Sequence, residues 1–364
     1  MDISLGKLLG QQEGPVLITG HTGFKGTWLT LLLENLGVRV VGLSLPPLSH
    51  SLYSLAGRAN KIQEFFLDIC DFDSIQNAIN IVKPTAVIHL AAQPLVLDSY
   101  NKPLETFSVN VIGTANVLEA AFRCPSVKAI LVATTDKVYE NSEDSKSYTE
   151  EDPLKGSDPY SCSKVGTESV VSAWQEISRK FSGPNLISVR SGNVIGGGDL
   201  ANNRLIPDLI NNFKNKTNVE IRNPNSTRPW QHVLDTLNGY VMALEKIIDK
   251  KQEFKSVNFG PKSKGHTVKY VSEFAKSVWQ SEVEIIYSTD ADILESKFLN
   301  LNSNLARDIL GWHPVLSQDE AIRNSINWWK SNLLKGIPAE KLCYEEIKNF
   351  KLLLSLKNKG HING

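Results

Sequence analysis

Tyr160-Ser161-Cys162-Ser163-Lys164 places a phenol and an ammonium four residues apart. On a helix, positions i and i+4 share one face. A neighbouring ammonium favours the phenolate, so the pair suits removal of a proton from an alcohol. Bringing a tyrosine from its ordinary value of ~10 to near neutrality requires about 4 kcal/mol. A desolvated lysine supplies that only with a second positive charge at hand. The same spacing occurs on plain surface helices, so the pair needs support from elsewhere in the chain.

That support begins at Gly20-His21-Thr22-Gly23-Phe24-Lys25-Gly26. The apolar run Val16-Leu17-Ile18-Thr19 precedes it as a buried strand, and a helix with a wide apolar face follows from Gly26 to Leu36. In such a strand–loop–helix, Gly20 permits the tight turn, Gly23 lets the backbone approach a pyrophosphate, and Gly26 lets the helix pack close to the strand. The helix start offers unpaired N–H groups to the phosphates. The segment Gly20, Gly23, Phe24, Lys25, Gly26 therefore reads as a dinucleotide site. The second strand runs into Ser44-Leu45-Pro46-Pro47, with no acid for the ribose hydroxyls and no arginine for a 2′-phosphate. NAD is the expected cofactor, held weakly at its ribose. Asp68 and Ile69 are placed to meet the adenine, with a plain helix cap as the other reading of Asp68.

Strands alternate with helices across the first half: Val38–Leu43, Phe65–Leu67, Ala86–Leu90, Ala129–Ala133 and Leu186–Val189 are strands. Ser74–Val82, Leu104–Phe122 and Tyr160–Ser178 are helices. Such alternation implies an α/β, Rossmann-type, doubly wound parallel sheet. After about Ser191 the elements shorten. The expected organisation is an NAD-binding domain over 1–190, with returns of the chain near 229–260. A smaller, discontinuous substrate-binding domain spans 191–340, and a solvated, amphipathic tail spans 341–364.

Lys plus Arg and Asp plus Glu each number 39, so broad electrostatic binding to nucleic acid or to an acidic membrane is not expected. No apolar run reaches the ~18 residues of a span, and the N-terminus does not read as a signal peptide. Cys70, Cys124, Cys162 and Cys343 lack both metal-ligand spacing and a disulfide pattern. A cytoplasmic protein without a metal is expected.

Further pieces match one another. Thr135 follows the fifth strand, Leu90-Ala91-Ala92-Gln93 follows the fourth, and Asn110 lies in the next long helix. With the glycine loop and the Tyr160/Lys164 pair, the chain resembles the extended short-chain dehydrogenase/reductase family from roughly Gly14 to Trp329. The resemblance implies a Thr135–Tyr160–Lys164 catalytic set, cofactor contacts from Ala91, Ala92 and Gln93, and a pyrophosphate-linked sugar as substrate. Asp136-Lys137 after Thr135 resembles the nucleotide-sugar 4,6-dehydratases. So do Ala92-Gln93-Pro94-Leu95-Val96, Asn193-Val194-Ile195-Gly196-Gly197-Gly198-Asp199, Arg204-Leu205-Ile206-Pro207-Asp208 and Arg228-Pro229-Trp230-Gln231-His232-Val233. Val138 and Val165 depart from that branch and should carry no chemistry.

On this resemblance Tyr160 takes the O4 proton and Asp136 protonates the leaving C6 hydroxyl. Lys137 either removes the C5 proton or stays charged and steadies an enolate. Arg228 and Asn193 are the expected pyrophosphate contacts, with Arg204 and Arg222 reaching phosphate or base. A cytidine base follows from the resemblance alone. The alternatives are a UDP-N-acetylglucosamine 4,6-dehydratase, a sugar-nucleotide 4-epimerase and a non-enzymatic NAD-binding sensor. A sensor has no need of Thr135, Asp136, Tyr160 and Lys164 together. Family resemblance also implies a homodimer, or a dimer of dimers, through the helices near Leu104–Phe122 and Tyr160–Ser178. His89 and His232 are expected to be structural.

Overall fold

The computed structural model describes residues 5–141, 146–249, 253–288 and 298–360. Seven strands form one parallel sheet: β1 (Val16–Thr19), β2 (Val40–Ser44), β3 (Gln63–Phe66), β4 (Ala86–His89), β5 (Ala129–Ala133), β6 (Asn185–Ser191) and β7 (Ser256–Phe259). Their order is β7-β6-β5-β4-β1-β2-β3. The succession reverses between β1 and β4, which opens a crevice at the carboxyl ends of these strands, where open α/β sheets bind ligands.

The period-2 alternation of side chains sorts each strand between two cores. Val16 and Ile18 face a cluster with Trp28, Leu29, Val233 and Leu237. Leu17 faces the other cluster, with Ile75, Ile79, Val117 and Leu118. Helices Phe24–Asn35 and Val233–Ile248 therefore cover one face, and Phe72–Val82, Thr114–Phe122 and Pro159–Phe181 the other.

The stretch expected as one helix over Leu104–Phe122 is interrupted. It runs as α-helix over Pro103–Phe107, as a π-helical turn over Ser108–Gly113, and as α-helix again over Thr114–Phe122. The turn centres on Asn110, whose carbonyl accepts the hydroxyls of Thr114 and Thr167, each at 2.7 Å. Side-chain insertion of this kind accompanies π-turns.

Beyond β6 the chain forms short paired segments. Asn193–Ile195 lies beside Trp230–His232, Thr227–Arg228 beside His266–Thr267, and Val219–Arg222 beside Ile285–Ser288. Ile206, Leu209, Phe213 and Val271 of this part belong to the same hydrophobic cluster as Val16 and Ile18. The chain returns to the main sheet as β7, parallel to β6.

The C-terminal segment corrects one expectation. The helix Ala339–Gly360 buries Leu342, Cys343, Ile347 and Phe350 and leaves Leu352, Leu353 and Leu356 exposed. Cys343, Ile347 and Phe350 stand at i, i+4 and i+7, so one stripe faces the core; the opposite face, with Lys341, Glu345 and Lys348, is solvated, as is the distal end. Buried Arg58 ties this helix down, contacting Glu34 on the helix Phe24–Asn35 and lying 3.8 Å from Glu340. Among the described residues no helix is long and apolar enough to cross a membrane.

Candidate active site

The glycine loop fits a pyrophosphate. Gly20 has φ +76°, and a Cβ there would lie 2.7 Å from Ala91 N; a Cβ at Gly26 would lie 2.1 Å from Gly20 O. Any side chain would drive the loop out of the crevice. The helix Phe24–Asn35 starts on Gly23 without a side-chain cap, so its first N–H groups remain available to an anion. Ala91 N donates to Thr19 Oγ1 at 3.3 Å. Gln93 N donates to Asn110 Oδ1 at 2.8 Å, and Asn110 Nδ2 donates to Ser163 Oγ at 2.8 Å. The segment Ala91-Ala92-Gln93 is thus strung between the glycine turn and the helix carrying Tyr160.

At the end of β2, hydroxyls stand where an acid was missed. Ser44 Oγ lies 2.7 Å from Thr22 Oγ1, which also donates to Leu45 O. An acid does sit one strand over, but Glu64 is engaged, accepting from Tyr53 OH at 2.6 Å and lying 3.1 Å from His21 Nε2. Asp68 is not the helix cap: its carboxylate accepts Cys70 N–H at 2.8 Å, while Asp71 caps the helix Phe72–Val82. Ile69 packs against Gly113 in the π-turn. With only hydroxyls for the ribose, NAD should bind reversibly. Calorimetric titration of dialysed protein should show a saturable site, and stoichiometric NAD surviving extensive dialysis would contradict weak anchoring.

The helix Pro159–Phe181 begins with Pro at its first position and a reciprocal cap between Asp158 and Ser161, a strong start signal. It places Tyr160 beside Thr135, whose hydroxyl acts on the phenol. Thr135 Oγ1 in turn donates to Asp136 Oδ1 at 3.0 Å. Burial pushes Tyr160 up to about 12, opposed by Thr135 and then by the positive charge of Arg204. This differs from the expectation that Lys164 is the group favouring the phenolate. Lys164 Nζ instead donates to Ala133 O, the carbonyl ending β5, at 3.3 Å. Burial brings Lys164 down to about 8, reinforced by Lys25 and opposed by Glu168.

Asp136 is buried, and burial raises its carboxyl pKa against the pull of Lys137, Thr135 and Arg228. Its Oδ2 has no hydrogen-bond partner among the described residues. That oxygen would lie 3.1 Å from a Cβ at Gly192, next to half-buried Asn193. Lys137 is also half-buried, and its N–H donates to Thr135 Oγ1 at 3.3 Å.

Four further cations reach this cluster. Arg228 is buried and acts on Asp136. Arg204 pairs with Asp199 at 3.1 Å and acts on both Tyr160 and Lys25. Lys25, expected only as part of the glycine loop, sends its side chain to Ser191 Oγ (3.4 Å) and Tyr240 OH (3.5 Å), and burial brings it down to about 8. Lys164 completes the set. A chain of zero net charge thus concentrates positive charge in one crevice, as a pyrophosphate ligand requires. Arg222 is exposed and faces Asp208; among the described residues it joins none of these contacts. His89 is structural, its nitrogens 2.7 Å from Thr19 Oγ1 and 3.0 Å from Thr114 Oγ1.

A glycine-turn dinucleotide cradle beside a Thr135–Tyr160 pair is the arrangement of nicotinamide-dependent sugar enzymes. The family model described as NAD dependent epimerase/dehydratase family matches residues 16–260. The chain belongs to this family. It is 40% identical over 325 residues to the CDP-glucose 4,6-dehydratase of Salmonella typhimurium, covering 87% of this chain and 90% of that protein. In fold it is similar to a dTDP-glucose 4,6-dehydratase from Streptomyces venezuelae solved with NAD and TYD bound (TM-score 0.76, 21% identity, 89% of this chain and 99% of that one). It is also similar to a UDP-glucose 4-epimerase from Thermotoga maritima with UDP-glucose (TM-score 0.75, 20% identity, 88% and 99%). Membership makes NAD the cofactor, and the residues about Gly20, Gly23 and Gly26 fit it.

Proposed function

We propose that this epimerase/dehydratase family member removes water from CDP-glucose, giving CDP-4-dehydro-6-deoxy-glucose. The observation that carries this reading is Asp136: a buried carboxyl, held toward its protonated form, beside the Thr135–Tyr160 pair. Alcohol oxidation or epimerisation at C4 has no use for such an acid; departure of a C6 hydroxyl does. The choice of CDP-glucose rests on the Salmonella relative.

Bound NAD would supply a hydride acceptor for C4, a hydride donor for C6 and the positive charge of its oxidised ring. Tyr160 accepts the O4 proton, with Thr135 hydrogen-bonded to the same oxygen, Arg204 favouring the ionised phenol and Lys164 toward the nicotinamide ribose. The resulting 4-ketone acidifies the C5 proton. Lys137 faces that step, taking the proton or steadying the negative charge left on O4. Asp136 delivers its proton as the C6–O bond breaks and water leaves, and C5 regains a proton as hydride reaches C6. Gly20, Gly23, Phe24, Lys25 and Gly26 hold the cofactor pyrophosphate, with Asp68 and Ile69 toward the adenine and Ala91, Ala92 and Gln93 along the crevice. Arg228 and Asn193 take the substrate pyrophosphate, and Arg204 and Arg222 reach phosphate or base.

Incubation with NAD and a panel of nucleotide sugars, read by mass spectrometry, tests this. Loss of one water from CDP-glucose in preference to the others is the expected result. Preferential loss from UDP-N-acetylglucosamine would replace the substrate, and C4 inversion without loss of mass would replace the reaction.

The protein is assigned to the cytoplasm, in keeping with four free cysteines, and to a homodimer. Leu104 (84% exposed), Ile112 (56%) and Phe181 (69%) stand on the paired helical segments around the π-turn and the helix Pro159–Phe181. Exposed apolar residues gathered on one surface mark association sites. Leu104→Glu with Ile112→Glu should convert the species seen by light scattering to monomer; an unchanged mass would move the interface elsewhere.

A further inference from the structure

The catalytic turn Thr135-Asp136-Lys137 is short, and what fixes it lies outside it. Thr134 Oγ1 donates to Glu168 Oε1 at 2.5 Å. Glu168 stands one helical turn after Lys164, fully enclosed, and also accepts Ser188 Oγ at 2.8 Å. Its carboxylate receives Arg190 through two bonds, Nε to Oε1 at 2.8 Å and Nη2 to Oε2 at 3.0 Å. The remaining arm of Arg190 donates to Tyr139 OH at 2.9 Å and to Glu150 O at 3.2 Å. Tyr139 OH itself donates to Asn258 Oδ1 on β7 at 2.7 Å. One buried ion pair thereby grips the residue before the turn, Thr134, and the second residue after it, Tyr139.

Replacing such a pair by apolar residues is often neutral for stability, so its cost of burial calls for another use. The geometry points to Glu168–Arg190 as a positioning pair for the elimination half-reaction, holding Asp136 and Lys137 at the C5–C6 side of the sugar. Glu168 shares the helix of Tyr160 and Lys164, and Thr135 shares the turn, so oxidation feels the pair too; it does so less, because that helix is fixed by its own Asp158–Ser161 cap and Thr135 keeps its bond to Asp136. A guanidinium spans these partners because its planar fork is rigid; a lysine in its place keeps the charge against Glu168 and loses the reach to Tyr139 and Glu150.

The inference rests on the dehydratase reading above. Wild-type protein is therefore run first with NAD and CDP-glucose; failure to lose water there rejects that reading and leaves the pair's role without a reaction to serve. With wild-type dehydration established, Arg190→Lys and Tyr139→Phe are mixed rapidly with NAD and CDP-glucose. Reduced cofactor is followed by absorbance, and product and C5 deuterium uptake from heavy water by mass spectrometry. In Arg190→Lys, elimination should fall tenfold or more relative to oxidation, with reduced cofactor and C6-hydroxylated 4-ketosugar accumulating. Tyr139→Phe removes only the hydroxyl, is the safer variant for folding, and should show the same split at about threefold. Deuterium uptake at C5 should slow with elimination. Equal losses in both half-reactions, or no loss in either, would overturn the positioning role. If Arg190→Lys does not fold, the Tyr139→Phe split decides alone.

Discussion

Asp136→Asn should reduce the cofactor on adding CDP-glucose and then stall. Asparagine keeps the shape and can still hydrogen-bond Thr135, but it has no carboxylic proton for the departing hydroxyl. General acid catalysis is worth ~10²- to 10⁴-fold, so release of the 4-keto-6-deoxy sugar should fall by about that factor. A 4-ketosugar that retains its C6 hydroxyl should accumulate. Rapid-mixing absorbance with parallel product analysis reads both. Wild-type elimination in this variant would remove Asp136 as the acid, and absence of reduced cofactor would give it an earlier role. The pH dependence has a definite sign. Burial raises the Asp136 carboxyl, and the acid works only while protonated, so elimination falls as pH climbs past that raised value. Oxidation moves the other way, since Tyr160 accepts a proton only when ionised. Product formation should therefore be bell-shaped in pH, and the elimination limb should be missing from Asp136→Asn.

Tyr160→Phe should abolish turnover, by ~10²-fold or more, while CDP-glucose binding measured calorimetrically changes little. The ring and its packing remain, and only the proton-accepting oxygen is removed. Thr135 retains a partner in Asp136 Oδ1, so no buried hydroxyl is left stranded. Neither reduced cofactor nor ketone should appear. Oxidation at a near-normal rate would move the base to another group, and Lys164 would be the next to replace.

Much of this site was legible in the chain because the informative patterns are local. The glycine loop, the buried strands at Val16, Ala86 and Ala129, and the helix start at Pro159-Tyr160 each lie within a few residues of sequence. What is not legible there depends on contacts between distant segments. Lys25 reads as a loop residue until Ser191 and Tyr240 are seen beside it. Glu168 and Arg190 are a helix residue and a strand residue until they meet. The π-turn follows from Thr167, far along the chain, bonding the Asn110 carbonyl. The buried stripe of the C-terminal helix is masked in the sequence by the lysines interleaved with it, and periodicity alone does not say which face finds a partner.

The late arrival of that helix bears on how the protein is made. Trp28 and its neighbours, near the start of the chain, belong to one core with Ile347 and Phe350, near its end, and β7 closes the sheet edge only after residue 256. Translation at about 5–20 residues per second leaves an interval of roughly 20 to 70 s between the first residue and the last for a chain of 364. Through much of that interval the nascent glycine-loop helix has an uncovered apolar flank and the sheet an unpaired edge. The ribosome-bound chain should accordingly engage holding chaperones. A chain stopped before Ala339 should fail first by aggregating, before any loss of catalytic competence can be measured.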